Sequence, residues 1–299
     1  MIDGKRPGRI ALVVHPTRAV DGALGTLDRW TAQHDVDLVQ LAVGGDGLRE
    51  VAAPGNVERG DLVVALGGDG TVLSALRAAA ATDAPVLGVA CGSLGVLSAV
   101  AAGGLADALE RVRAGDWTPR SLPALAIRAA DAPDEWAVND FVVVRRGSGQ
   151  LIAELAVDDE LYVRLAADGL IVATPVGSSA YSMAAGGPLL AGHTAAFVCT
   201  PLAMHGGSAP PLVVPADATV TVEVHPGYGG FDVEIDGHRR PLEARSFRLT
   251  LQEDKVNLVT FAPSGPALGG LRRRGLITDS PRILARDERA ARAAGWTRS

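Results

Sequence analysis

The 299-residue chain predicts an α/β N-terminal domain with a parallel sheet, followed by a β-rich, sandwich-like C-terminal domain. Three observations carry this. Up to about residue 120, short apolar runs alternate with helical stretches, the pattern of parallel strands covered by helices on both faces. From about Ser121 the texture changes to successive runs of alternating or β-branched residues with little helical pattern. Between them in weight stands Leu66-Gly67-Gly68-Asp69-Gly70-Thr71, a glycine turn between an apolar strand and a helix, where open α/β sheets bind ligands.

The first domain, residues 1–120, opens with a buried strand at Arg9–Val14, ended by His15-Pro16-Thr17. Residues 20–33 have helical spacing, with Leu24, Leu27 and Trp30 on one face. A strand over Val36–Ala42 leads to Gly44-Gly45-Asp46-Gly47, which lacks a long apolar strand before it and reads as a surface loop; Pro54 then breaks any helix. The strand Asp61–Leu66 precedes the glycine turn, and Val72–Ala81 has helical spacing. Pro85–Ala90 is a further buried strand, running into a second glycine turn at Cys91–Leu97, and Leu105–Ala114 is an amphipathic helix.

In the second domain, residues 121–262, strands are expected at 124–129, 135–144, 151–157, 161–165, 169–174, 195–199, 219–224, 231–235, 246–252 and 255–260. Residues 263–299, with Arg272-Arg273-Arg274 and an Arg- and Ala-rich end, form a tail that packs back or is partly disordered, its charges a solvated face.

Composition narrows the function classes. Lys plus Arg number 28 against 34 Asp plus Glu, a net charge of −6 that argues against a broad nucleic-acid surface. Two cysteines, Cys91 and Cys199, form no metal or disulfide spacing and are expected as buried thiols. No stretch approaches the roughly 18 apolar residues of a membrane span, and the first residues have no signal-peptide core. A cytoplasmic enzyme is the expectation.

The glycine turn lets backbone N–H groups approach phosphates at a helix N-terminus. Asp69 is out of place in such a cradle unless it binds Mg²⁺ or takes a proton from an attacking hydroxyl; a plain helix cap is the alternative. A second constellation lies downstream. Asn139-Asp140 interrupts an apolar run and suits a nucleoside, as a carboxylate accepts from ribose hydroxyls and an amide pairs with a base edge; backbone capping is the competing use. Asp168-Gly169 leads through Thr174-Pro175 to Gly177-Ser178-Ser179-Ala180-Tyr181. There small residues admit a ligand, hydroxyls give flexible partners, and Tyr181 offers a stacking face.

Together these segments resemble the NAD kinase family over roughly residues 9–262. The carriers are Gly67–Thr71, Asn139-Asp140 and Asp168–Pro188, with Ser121–Leu125 and Asp236-Gly237 in support. The Gly-Gly-Asp-Gly-Thr core is also found in diacylglycerol and sphingosine kinases; the long 168–188 match points to NAD kinase. The resemblance implies transfer of the γ-phosphoryl of ATP (or polyphosphate) to the adenosine 2′-hydroxyl of NAD, with Mg²⁺ or another divalent cation, by a homodimer or homotetramer. It implies Asp69 as general base and Gly67, Gly68, Gly70 and Thr71 as the phosphate turn. It places Asn139, Asp140, Asp168, Ser179, Ala180, Tyr181 and Asp236 at the NAD site; no metal ligand is assigned.

The chain departs from the family pattern at Ala90, where Asn is usual, at Val96 for Phe, at Val176 for Thr, and across Met204–Pro211, where a Leu and an Arg are missing. None of these positions is Asp69 itself. The alternatives are therefore a kinase of the same fold acting on another nucleoside or nucleotide hydroxyl, and a nucleotide-binding regulatory protein without turnover.

Overall fold

A computed structural model describes residues 7–42, 49–130, 132–192, 194–226, 229–261, 271–272 and 275–293. The Gly44–Gly47 loop, Arg273, Arg274 and the last six residues lie outside them.

In the first half, β1 (Arg9–Val14), β2 (Asp37–Leu41), β3 (Ala53–Gly55), β4 (Leu62–Gly67) and β5 (Val86–Ala90) form a parallel sheet in the order β5-β4-β1-β2-β3. β4 and β5 are buried at every position, as expected of strands covered on both faces. Helices α1 (Asp21–His34) and α3 (Leu105–Ala114) cover one face, burying Leu24, Leu27, Trp30, Leu105 and Leu109 against Ile10, Leu12 and Val64. Helix α2 (Asp69–Ala79) covers the other, with Val72, Ala75 and Leu76 on Ala11, Val63 and Ala65. α3 stops at Gly115, which takes the left-handed conformation at φ 75° and returns its N–H to the last turn.

Two elements differ from the sequence expectation. α2 begins at Asp69 rather than residue 72, so the glycine turn is one residue, Gly68, between strand and helix. Residues 53–55 are a strand, which tolerates Pro54 because β3 lies at the sheet edge, where no ladder N–H is required.

The second half is a two-sheet sandwich. One sheet holds β7 (Thr118–Ala129), β10 (Leu151–Val157), β11 (Glu160–Ala167), β15 (Thr219–Pro226) and β18 (Ser246–Thr260). The other runs β14 (Leu212–Pro215), β13 (Ala196–Leu202), β12 (Gly169–Ala173), β9 (Asp140–Arg145), β16 (Phe231–Ile235) and β17 (His238–Arg240). Their inner faces meet in a core around Phe141, Phe197 and Phe247, with the Phe141 and Phe247 rings 5.0 Å apart. The expected strand at 135–144 is split into β8 (Glu135–Ala137) and β9, because Val138 and Asn139 leave the ladder. The runs at 246–252 and 255–260 are one strand with a bulge between Gln252 and Val256.

β18 joins the halves. It pairs antiparallel with β7 and β15, and at Leu258 it pairs parallel with Val86 of β5, so one sheet continues from the sandwich into the α/β half. Cys199 is buried and its thiol is pushed up to about 12 by burial. Cys91 is only half-buried, because it sits just past β5 where the chain leaves the sheet. Helix α4 (Pro281–Ala293) is exposed at every position from 281 to 290. No helix among the described residues is long and apolar enough to cross a membrane.

Candidate functional site

The strand order β5-β4-β1-β2-β3 reverses direction between β1 and β4. At such a switch point the loops after neighbouring strands diverge and leave a crevice. A cleft of ≈ 330 Å³ opens there, lined after β1 by His15, Pro16 and Arg18 and after β4 by Gly68, Asp69, Gly70, Thr71 and Ser74, with His238 of the sandwich on the far wall.

Asp69 is the first residue of α2, where a carboxylate is favoured by the helix dipole. Its Oδ2 accepts the N–H of Val96 and its Oδ1 that of Leu97, both at 3.1 Å. The second glycine turn is therefore the cradle of this acid. Gly95 has a specific reason to be glycine, since a Cβ there would stand 1.8 Å from Asp69 Oδ1. Gly67 serves packing in the same way: its Cβ would meet Thr71 Oγ1 at 2.2 Å. Gly70 faces open space.

Two cleft residues went unread in the sequence. Arg18 lays its guanidinium over Gly68, with three of its atoms 3.5 Å from where a Cβ would be, and reaches within 2.9 Å of the corresponding point on Gly92. It thus lies between the two glycine turns, and no carboxylate pairs with it among the described residues. His15 accepts the N–H groups of Thr17 and Arg18 on Nδ1, at 3.2 Å each. Burial, then Arg18, hold its pKa below the ordinary histidine value, so the imidazole is neutral at pH 7. The only local signal was a His and an Arg just past an apolar strand.

The second constellation gathers at the β8–β9 break. Asp236 and Gly237 have φ of 52° and 75°, the left-handed pair a two-residue hairpin turn demands between β16 and β17. This turn points the Asp236 carboxylate inward, where it accepts the N–H of Val138 at 3.1 Å and of Asn139 at 2.6 Å. Asp236 also pairs with Arg77 Nη1 at 3.3 Å. Arg77 comes from α2, donates to the Trp136 carbonyl, pairs with Glu135 at 2.9 Å and lies over the Trp136 ring. One arginine therefore ties the helix that starts at Asp69 to the loop carrying Asn139 and Asp140. That tether was not legible in the sequence, since Arg77 is 58 residues from Glu135 and 159 from Asp236.

Asp140 lies on the outer face of the β9–β12–β16 sheet, almost buried at 4% exposure. Burial first, then Asp236 and Glu234, push its carboxyl up to about 7. The Asn139 carbonyl receives the Thr174 N–H at 2.9 Å, and a Cβ on Gly177 would stand 1.9 Å from that oxygen. Thr174 and Ser178 hold the 174–190 segment by hydroxyl bonds to the Val138 and Pro175 carbonyls. Ser179 is half-buried and donates its hydroxyl to the Val176 carbonyl. Ala180 follows it, half-buried, and Tyr181 is exposed. The Tyr181 hydroxyl is pushed above its usual range by burial, then by Glu234, Asp140 and Asp168.

Asp168 lies at the opposite end of β12 from the Ala173–Asp140 pair, yet near enough to act on the Tyr181 hydroxyl. Arg145 Nε bonds it at 2.5 Å and His205 Nε2 lies at 3.4 Å. The Arg145 bond chiefly holds its carboxyl below the usual range, against the opposing effect of burial. His205 belongs to the segment where the family pattern is reduced.

Comparison with known proteins accords with this geometry. Residues 48–117 match the family model described as the ATP-NAD kinase N-terminal domain, and residues 138–250 match the ATP-NAD kinase C-terminal domain. A NAD kinase of Heliobacterium modesticaldum is 42% identical over 182 residues, 59% of this chain and 64% of that protein. NAD kinase 1 of Streptomyces avermitilis is 32% identical over 93% of this chain and 89% of its own length. The fold is shared with yeast NADH kinase complexed with NADH, at TM-score 0.76 and 20% identity over 92% of this chain and 89% of that one. It is also shared with an Archaeoglobus fulgidus NAD kinase in complex with ATP, at TM-score 0.71 and 22% identity over 90% of this chain and all of that one. The named relatives and this fold support NAD kinase activity. The chain belongs to the NAD kinase family and is a phosphotransferase with an alcohol acceptor.

Proposed function

We propose that this member of the family transfers the γ-phosphoryl of ATP to the adenosine 2′-hydroxyl of NAD, with Asp69 as the general base. The observation that carries the reading is the position of Asp69: it heads α2 in a switch-point cleft with walls from both halves of the chain. In the reaction the 2′-oxygen attacks the γ-phosphorus in line, the bond from γ-phosphorus to the β–γ bridging oxygen breaks, and the hydroxyl proton passes to Asp69. Phosphoryl transfer of this kind has a loose transition state, so positioning and charge neutralisation matter most.

The donor phosphates meet the N-terminus of α2 through Gly67, Gly68, Gly70 and Thr71, and Arg18 supplies a planar cation that suits phosphate oxygens. Asn139 and Asp140 take the adenosine, beside Ser179, Ala180 and Tyr181, with Asp168 at the far end of β12. Asp236 acts from behind, by holding the Val138–Asn139 backbone. A divalent cation fits the donor set. Asp69 is the one carboxylate lining the cleft, and among the described residues no group of three or more His, Cys, Asp or Glu is arranged to hold a metal. A cation that keeps several waters suits such a site; when bound it would neutralise phosphate charge, leaving Asp69 to take the proton. The protein is expected to act in the cytoplasm as a homo-oligomer. Exposed Ile152, Leu161 and Val213 near the sheet edges support the oligomer, and light scattering of the purified protein tests it.

The deciding experiment offers the purified protein ATP and Mg²⁺ with NAD, NADH, adenosine or AMP and identifies the product by mass. Phosphorylated NAD as main product supports the reading. Turnover on a smaller nucleoside alone overturns the acceptor, and no turnover with any acceptor leaves the regulatory alternative.

Arg18→Ala is expected to raise the KM for ATP about ten- to a hundredfold, the loss of a charged hydrogen-bond pair of about 1.5–3 kcal/mol, with NAD affinity unchanged. Steady-state kinetics with ATP varied at saturating NAD reads this.

Asp140 gives a pH signature. Its folded pKa of about 7 lies above the unfolded value near 3.9, so the folded state binds the extra proton between them. The stability this contributes is fully present below about pH 4 and is lost as pH rises towards 7. Asp140→Asn should remove that slope in urea denaturation. A carboxylate that accepts ribose hydroxyls binds best ionised, so NAD affinity should rise from pH 6 to 8, with proton release on binding visible in calorimetry in buffers of different ionisation heat.

A further inference from the structure

Behind the turn that cradles Asp69 lies a second cavity of ≈ 260 Å³, between residues 96–99 and strands β7 and β18. It shares no lining residue with the Asp69 cleft. Its floor is set by the ladder. Arg120 of β7 stands opposite Leu258 of β18, which in turn pairs with Val86 of β5. The turn is pressed onto β5: a Cβ on Gly88 would come within 2.6 Å of the Leu97 carbonyl and 3.1 Å of Ser98 Cα, and Ala99 donates its N–H to the Gly88 carbonyl at 2.8 Å.

Two side chains in this cavity lack what their chemistry requires. Arg120 is half-buried, and desolvation, opposed by no carboxylate, pulls its pKa below the ordinary arginine value. Among the described residues no hydrogen bond or ion pair reaches its guanidinium, and no acid lines the cavity. The Ser98 hydroxyl is buried with no partner. A half-buried guanidinium with no acid beside it and a buried hydroxyl with no partner together suit an anion that takes hydrogen bonds from both.

We infer that this cavity binds a small oxyanion of phosphate size, held by the Arg120 guanidinium and the Ser98 hydroxyl. The guanidinium presents its N–H fork to two anion oxygens and Ser98 donates to a third. The site bears on catalysis through the turn it backs, since Val96 and Leu97 line the cavity and give their N–H groups to Asp69. Occupancy steadies the donors that position the acid. The inference does not depend on which acceptor the enzyme phosphorylates.

Thermal unfolding of the full chain, with ADP and NADP saturating the substrate cleft, tests it against added inorganic phosphate, with chloride at matched ionic strength as control. The wild type should show a saturable rise of about 2–4 °C at ten times the half-saturating phosphate. Arg120→Gln should lose the rise, Arg120→Lys retain part of it, and Ser98→Ala weaken the half-saturation. A matching response to glycerol phosphate assigns the site to phosphate groups in general; a response to inorganic phosphate alone assigns it to the free anion. A wild type that answers phosphate no more than chloride overturns the site, as does an Arg120→Gln protein that answers like wild type. Should that variant fail to fold, an unaltered half-saturation in Ser98→Ala does the same. Because no turnover is read, failure here leaves the kinase reading intact.

Discussion

Asp69→Asn should lower kcat by about 10²–10⁴-fold, the range for loss of a positioned general base, while NAD affinity stays at the wild-type level. The amide keeps the volume of the acid and one acceptor oxygen. It cannot take the proton of the 2′-hydroxyl, and no other carboxylate among the described residues lines the cleft. There is a structural cost as well. Val96 and Leu97 both donate N–H groups to this side chain, and an asparagine must turn its own NH₂ towards one of them. One unmatched buried donor costs about 1–3 kcal/mol, so the variant should also melt earlier. The two effects separate by assaying well below the melting transition and by titrating NAD directly. Near-wild-type turnover in a folded, NAD-binding variant would remove Asp69 from the base role.

Asp236→Ala should be the most damaging substitution away from the reacting atoms. The carboxylate is fully buried opposite an 18% exposed Arg77 side chain, and it holds the N–H groups of Val138 and Asn139. Removing one partner of a buried charged pair costs about 3–5 kcal/mol, because the other is left uncompensated. Denaturant unfolding should show this, with Asp236→Asn less affected because one acceptor remains. A purely structural role would stop there. A positioning role predicts two further changes: a higher KM for NAD, as the Asn139–Asp140 segment is released, and a downward shift of the pH dependence of NAD affinity. The second follows because Asp236 is one of the charges that hold the Asp140 pKa up near 7. A variant destabilised as expected, but with the wild-type pH profile, would leave Asp236 a structural residue only.

These two acids show how differently the parts of the site were written in the sequence. Asp69 was legible because its neighbours in the chain are its neighbours in space: a buried strand, glycines and a helix start bring it to the edge of a parallel sheet. Asn139-Asp140 was legible as two polar residues breaking an apolar run. The elements around them followed from periodicity, which reads local backbone and one-sided burial. The 105–114 helix and the β-rich texture after residue 121 are cases in point.

The sequence by itself determined the α/β-plus-sandwich character and the glycine turn that lines the cleft with Gly68, Asp69, Gly70 and Thr71. It also carried the family, through the 67–71 and 168–188 motifs. Only the tertiary structure decided what binds these segments together. Arg77 joins α2 to Asp236 in the β16–β17 turn across 159 residues, the 91–97 turn gives two N–H groups to Asp69, and β18 fuses the sandwich to the parallel sheet. Arg18 between two glycine turns, Arg120 without an acid, and Asp168 drawn off to Arg145 and His205 are of the same kind. The reason is physical. Secondary structure and turns are set by neighbours in the chain, which a sequence displays in order. Whether a charged side chain is paired, buried or turned towards a ligand depends on groups brought beside it by strand pairing and packing, and chain order does not encode those distances.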